Sequence, residues 1–227
     1  MTNTAKKISP KTEPHGVRAD GIEARTRLLE TALNLFAEQG FAKTSTREIA
    51  RQAQVNISAI SYYFGDKAGL YRAVFHDPRT NPCVSADEFS DPNLTLHSAL
   101  QLLVRAYTES MKQGAVVQNY VKVHIREMLE PTGLWHEEIE TMIKPAHHAF
   151  VKFLCQELKV KRVDDDIHRL VFSIIGMAMS MMVNADVMIA VRPQLLKNPK
   201  AIDTFTDYIV NMSMNLVEAE RTRRSAS

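Results

Sequence analysis

The chain has 227 residues, 45% of them hydrophobic and 24% charged, and a net charge of +2, an ordinary composition for a globular protein. Its two cysteines, Cys83 and Cys155, are too few for a disulfide framework, so a reducing cytoplasm is the expected setting. The longest apolar run, near 170–183, is broken by Ser173, Gly176 and Ser180 and falls short of the ~20 residues of a membrane span, so no membrane is expected.

Residues 1–20 are polar, contain Pro10 and Pro14 and show no periodicity. They read as a disordered arm in which Lys6, Lys7, Lys11 and Arg18 are available to an adjacent DNA groove. With no apolar segment behind its lysines, the arm is not expected to be a signal peptide. Residues 1–80 hold twelve Lys/Arg against eight Asp/Glu, a surplus suited to phosphate contact, whereas the remainder is slightly acidic.

A first helix is expected over 21–39, with Ile22, Leu29, Ala32, Leu33 and Phe36 on one face, Gly40 as its left-handed stop and Phe41 folding back as a plug. The stretch 44–75, TSTREIARQAQVNISAISYYFGDKAGLYRAVF, then organises the chain. A short helix begins at a Thr44 or Ser45 cap, with Glu48 at capping-box spacing and Ile49, Ala50 and Ala53 inward. A turn follows at Gln54-Val55-Asn56, in which Val55 plugs the angle and Asn56 caps a second helix over 57–64. Gly65 stops that helix and Asp66 caps the next. Two helices joined this way form a helix-turn-helix, which lays its second helix in the major groove.

On that second helix Ile60 and Phe64, four residues apart, face inward. Ile57, Ser58, Ala59, Ser61, Tyr62 and Tyr63 are left on the outer arc. Small side chains at Ser58 and Ala59 permit close approach to base edges, and the two tyrosines carry hydroxyls suited to phosphate oxygens.

These residues, with the preceding TRLLETALNLFAEQGF, resemble the DNA-binding domain of the TetR family of bacterial regulators: TxxxIA, then V-x-x-x-x-I-x-Y-Y-F, then K-x-x-L-Y. QVNISAISYYFGDKAGLY and the later REMLEPTGLWHEEIETMIKPAH resemble the CecR-type subgroup. The resemblance implies phosphate contacts by Thr46, Tyr62, Tyr63 and Lys67, and base contacts by Arg47, Asn56, Ile57, Ser58 and Ser61. The chain departs from the broad pattern in having Gln54 where most members have Gly, and Ser61 where many have Tyr.

The fourth helix starts at Lys67 and carries Leu70, Tyr71, Val74 and Phe75; its pattern fails after His76 in a segment with three prolines, expected to be the hinge between domains. Helices are expected over 94–113, 115–130, 134–158 with a bend at Pro145, and 164–191, followed by a last helix running into a charged tail, ERTRRSAS. The chain therefore reads as all-α: a helix-turn-helix domain over 21–66, and a helical-bundle domain over 67–227 for ligand binding and dimerisation.

By resemblance, the last two helices pair in a homodimer and the middle helices enclose an unidentified small-molecule effector. The expected lining is Leu103, Tyr107, Tyr120, His124, Met128, Trp135, His147, Phe150 and Met181, apolar walls with a few polar tips. His124 and Glu127 stand one turn apart, as in carboxylate metal sites of helical bundles, but no matching carboxylates are evident on other helices. Asp164, Asp165 and Asp166 begin a helix and serve as cap and dipole partners. No nucleophile motif, phosphate-binding glycine loop or zinc spacing appears, so neither cofactor, metal nor enzyme activity is expected. The function expected is a ligand-modulated regulator, a repressor acting on a palindromic DNA site; the alternatives are a DNA-binding scaffold governed by a protein partner and a metal-dependent helical enzyme.

Overall fold

The computed structural model describes residues 15–77, 84–113 and 115–226. All regular structure among the described residues is helical. The N-terminal half holds α1 (His15–Lys43), α2 (Thr46–Gln52), α3 (Ser58–Phe64), α4 (Lys67–Phe75), α5 (Leu96–Thr108) and α6 (Ala115–Leu129). The C-terminal half holds α7 (Leu134–Glu138), α8 (Lys144–Glu157), α9 (Asp165–Val183), α10 (Ala185–Val191) and α11 (Pro199–Ser225).

Most expected elements appear, with differences that have local causes. Helix α1 begins at His15, before the expected start, and is interrupted at Gly40 (φ 78°, ψ 169°), the expected stop. Lys6, Lys7, Lys11 and Cys83 lie outside the described residues. The bend at Pro145 is a π-turn over Ile139–Ile143 that ends where Pro145 opens α8. The helix expected over 164–191 is divided at Asn184 (φ −107°, ψ 20°). The charged tail is no tail but the last turns of α11: Arg224 pairs with Asp164 at 2.8 Å and with Glu220 at 2.6 Å, and Arg223 pairs with Asp166 at 2.8 Å. Asp164 caps α9 through Ile167 N–H as expected, and the Arg224 guanidinium holds its carboxyl well below the usual range.

Two apolar clusters divide the chain. One joins Phe89 with the inner faces of α5, α8, α9 and α11, around Leu100, Phe150, Leu154, Ile174 and Met181. The other joins α1–α4, around Leu28, Phe36, Ile49, Ile60, Leu70 and Phe75, and takes in Tyr120 and Val123 of α6 and Leu134 of α7. The clusters therefore do not part at residue 66; α4 and the inner side of α6 are packed with the reading head. Among the described helices, α9 alone is long and apolar enough to cross a membrane by length and composition. Its apolarity serves two faces: Ile167, Leu170, Val171, Ile174, Ala178 and Met181 are buried, while Phe172 and Val183 are exposed.

Candidate nucleic-acid interface

Each end of α2 and α3 is held by a local device. Ser45 Oγ accepts from Glu48 N–H at 3.1 Å, while the Glu48 carboxylate accepts from Gln52 at 3.3 Å, so half of the expected capping box forms. At the other end of α2, Gln54 N–H bonds Arg51 C=O (3.3 Å) and Val55 N–H bonds Ala50 C=O (3.0 Å). This Schellman closure puts Gln54 at φ 56°, in the left-handed region that favours glycine. The glycine common at this position in the resembled family thus has a conformational reason. Arg27 of α1 donates to Ala53 C=O at 3.2 Å, closing the same turn from outside, and Val55 packs into the angle as expected.

Asn56 Oδ1 accepts both the backbone N–H (2.9 Å) and the hydroxyl (2.8 Å) of Ser58, so two expected base-contact residues are tied to each other at the start of α3. At its end, Gly65 adopts φ 79° and Asp66 accepts from Gly69 N–H at 2.7 Å. Gly69 has no space for a side chain: a Cβ there would lie 1.9 Å from the Phe64 carbonyl oxygen. Helices α3 and α4 are therefore locked at one angle.

The outward surface is close to the expected one. Ile60 is buried, while Arg47, Asn56, Ile57, Ser58 and Ser61 are exposed, and Tyr62 is 82% exposed. Thr46, at the N-terminus of α2, is half-buried. Ala59 and Tyr63 correct the expected outer arc, being half-buried against the reading-head cluster; the Tyr63 hydroxyl lies against Gly21 of α1. Tyr62 meets the Tyr63 ring edge-on at 4.9 Å. The Lys67 ammonium rests 4.4 Å from the Phe41 ring centre and 3.5 Å from Ala42 C=O, and burial lowers its pKa.

The opposite side of the reading head is gripped by α6 and α7. Tyr71 donates to Glu127 Oε2 at 2.9 Å; Glu127 Oε1 accepts from Thr132 N–H (2.8 Å), Thr132 Oγ1 (3.0 Å) and Trp135 N–H (3.2 Å). Burial, then the carboxylate beside it, pushes the Tyr71 phenol above its ordinary pKa. The Tyr120 hydroxyl donates to Phe75 C=O (3.0 Å) and stands 2.9 Å from His124 Nε2, whose ring stacks on Phe75 at 3.9 Å. Arg72 meets Glu137 at 3.4 Å and His76 meets Glu138 at 3.5 Å. Arg126 donates to Ala37 and Glu38 carbonyls at 3.0 Å each, placing a cation at the end of α1 before Gly40. Of these, Arg27, Arg126 and Glu127 were not singled out as interface residues by sequence; their partners lie 26 to 89 positions away.

The nine expected lining residues do not converge. Leu103, Tyr107, Phe150 and Met181 belong to the C-terminal cluster. Tyr120 and Trp135 belong with the reading head, His124 lies on Phe75, and Met128 is exposed. His147 bonds His168 at 2.9 Å and packs on Phe172; burial, then the neighbouring imidazoles, lowers its pKa. An open groove of about 730 Å³ on α9, lined by Asp165, His168, Arg169, Phe172 and Ser173, includes none of the nine. His124 and Glu127 turn to different partners, and among the described residues no three His, Cys, Asp or Glu side chains gather.

A helix-turn-helix head with an exposed reading helix, carried on a larger helical domain, defines a DNA-binding regulator of the TetR type. Residues 28–74 match the tetR family of bacterial regulatory proteins, and residues 96–219 match the C-terminal domain of the HTH-type transcriptional dual regulator CecR. The chain belongs to the TetR family, with a CecR-type C-terminal domain. CecR of Shigella flexneri is 35% identical over 145 residues, 59% of this chain; the alignment spans 64% of that relative, less than two thirds of its length. The fold is shared with the SmeT–triclosan complex (TM-score 0.62, 15% identity, 85% of this chain and 90% of that one). It is shared also with NalD, the secondary repressor of the MexAB-OprM multidrug efflux pump in Pseudomonas aeruginosa (TM-score 0.56, 16% identity, 86% and 97%).

Proposed function

We propose that the protein is a homodimeric repressor that binds a palindromic DNA site and is released or retuned by a small molecule taken up in its C-terminal domain. The observation that carries this reading is the position of α4. Asp66 and Gly69 join it rigidly to the reading helix, and Tyr71 and Phe75 join it to α6 and α7. A ligand that shifts α6 moves α4 and, through Arg126, the end of α1. The whole reading head then turns as one body. Two heads fit successive major grooves only when held about 34–36 Å apart, so a shift of a few ångströms weakens binding.

Homodimer formation is supported by the outward stripes of α9 (Phe172, Gly176, Val183) and α11 (Tyr208, Leu216), which together suit a four-helix bundle. Thr46, Tyr62, Tyr63 and Lys67 act on phosphates, and Arg47, Asn56, Ile57, Ser58 and Ser61 on base edges. SmeT's complex with triclosan and NalD's repression of an efflux pump support an apolar effector and a transport target. The test is sequencing of the DNA retained by purified protein from sheared genomic fragments. A shared inverted repeat, bound with an affinity that falls steeply with salt, is expected; fragments no different from the input overturn the reading.

A further inference from the structure

The segment between α9 and α11 is unlike the rest of the chain. Helix α10 has no buried residue, and Val187 (55%) and Val191 (78%), one turn apart on one face, are exposed, as is Leu195 just beyond; Ile189, also exposed, lies on the other side. A seven-residue helix is too short to hold itself in water, and an apolar patch left open marks an interaction surface. The break at Asn184 hardly disturbs the register: Asn184 N–H bonds Ser180 C=O at 3.0 Å, and Met188 N–H bonds Asn184 C=O at 2.9 Å. Stepping by three or four residues, Phe172, Gly176, Ser180, Val183, Val187 and Val191 form one line across both helices. Asp186 and Arg192 bracket the α10 patch with opposite charges, and neither has an ion-pair partner among the described residues.

We propose that α10 is a dimerisation arm whose apolar face is covered by the second copy of this chain. The proposal rests on the homodimer reading above and extends its interface beyond the α9–α11 bundle. Two observations select a second copy as the occupant. The α10 patch continues the stripe already offered to the partner, so a copy seated on Phe172 and Val183 reaches it. A patch with an acid at one end and a base at the other is self-complementary when turned end for end, as a twofold axis requires.

The experiment measures the dimer dissociation constant of the full chain by sedimentation, with circular dichroism confirming an unchanged fold. Val187→Glu should weaken the dimer by at least about tenfold, as loss of one well-covered apolar anchor does. Asp186→Arg and Arg192→Asp should each weaken it, and the doubly substituted chain should recover. A Val187→Glu dimer as tight as the unsubstituted one, while Phe172→Glu weakens it, overturns the arm and leaves the homodimer standing. An unsubstituted chain that stays monomeric overturns both. A double substitution no better than the single ones overturns the proposal, as does an unchanged dimer with lost binding to phosphatidylglycerol vesicles, which assigns the patch to a lipid surface.

Discussion

The Tyr71 hydroxyl donates a 2.9 Å hydrogen bond to Glu127, a carboxylate 1% exposed and 56 residues away along the chain. The same carboxylate accepts from Thr132 and Trp135, so one buried anion ties α4 to α6 and to the start of α7. A hydrogen bond to a charged group contributes roughly 1.5–3 kcal/mol, and Tyr71→Phe is expected to lose about that much in urea unfolding. Glu127→Ala should cost more, because it leaves the Tyr71 hydroxyl and two backbone N–H groups without their acceptor. Should both variants unfold like the unsubstituted chain, the buried carboxylate does not hold α4.

Gly69→Ala places a methyl group 1.9 Å from the Phe64 carbonyl oxygen, which α3 and α4 can relieve only by moving apart. Overpacking of this kind costs about 1–3 kcal/mol, and here it also tilts the reading helix. Thermal unfolding combined with DNA affinity should show loss of both, and a Gly69→Ala chain that melts and binds like the unsubstituted one rejects the lock between α3 and α4.

His124 supplies a pH dependence. Burial lowers its pKa to about 4 from 6.5, so the folded chain holds the ring neutral while the unfolded chain has already taken up a proton. Stability on this account is complete above about pH 6.5 and falls as pH drops towards 4, by about 3 kcal/mol at the lower end. Asp164 and Glu220, whose carboxyls are held below their ordinary range, lose their contributions at still lower pH. His124→Phe keeps the stack on Phe75 and removes the titrating group. Unfolding curves at pH 7 and pH 5 should therefore differ less in the variant than in the unsubstituted protein.

Tyr62 and Arg47 are expected to act differently on DNA. Tyr62→Phe removes an exposed hydroxyl assigned to a phosphate and should weaken specific and non-specific duplexes alike, with no loss of stability. Arg47→Ala, at a position assigned to base contact, should reduce the preference for the operator over other duplexes. Titrations on both kinds of duplex distinguish the two, and an Arg47→Ala preference equal to that of the unsubstituted chain rejects the base contact.

How far the sequence could be read follows from the range of the interactions. Ser45, Asn56, Gly65 and Asp66 act within four residues of themselves, so the reading head was legible from spacing and composition. Its joints to α6 and α7 were not, because Tyr71 and Glu127, or Tyr120 and Phe75, carry no local sign of one another. The expected lining residues divide between two clusters for a related reason. Periodicity shows that Tyr120, Phe150 and Met181 point inward, but not that the first belongs to a different cluster from the other two. The arginines near the C-terminus read as a solvated tail because Asp164 and Asp166, their partners, lie about sixty positions earlier.

On α3, the buried apolar anchor and the outermost side chains are different residues. Ile60 is buried, whereas Ser61 and Tyr62 face away from the cluster that secures it. On the reading that Ser61 meets base edges, a duplicated gene can acquire a new promoter by substitution at Ser61 with little penalty in folding. Divergence of targets within such a lineage should outpace divergence of Ile60, Gly65 and Gly69.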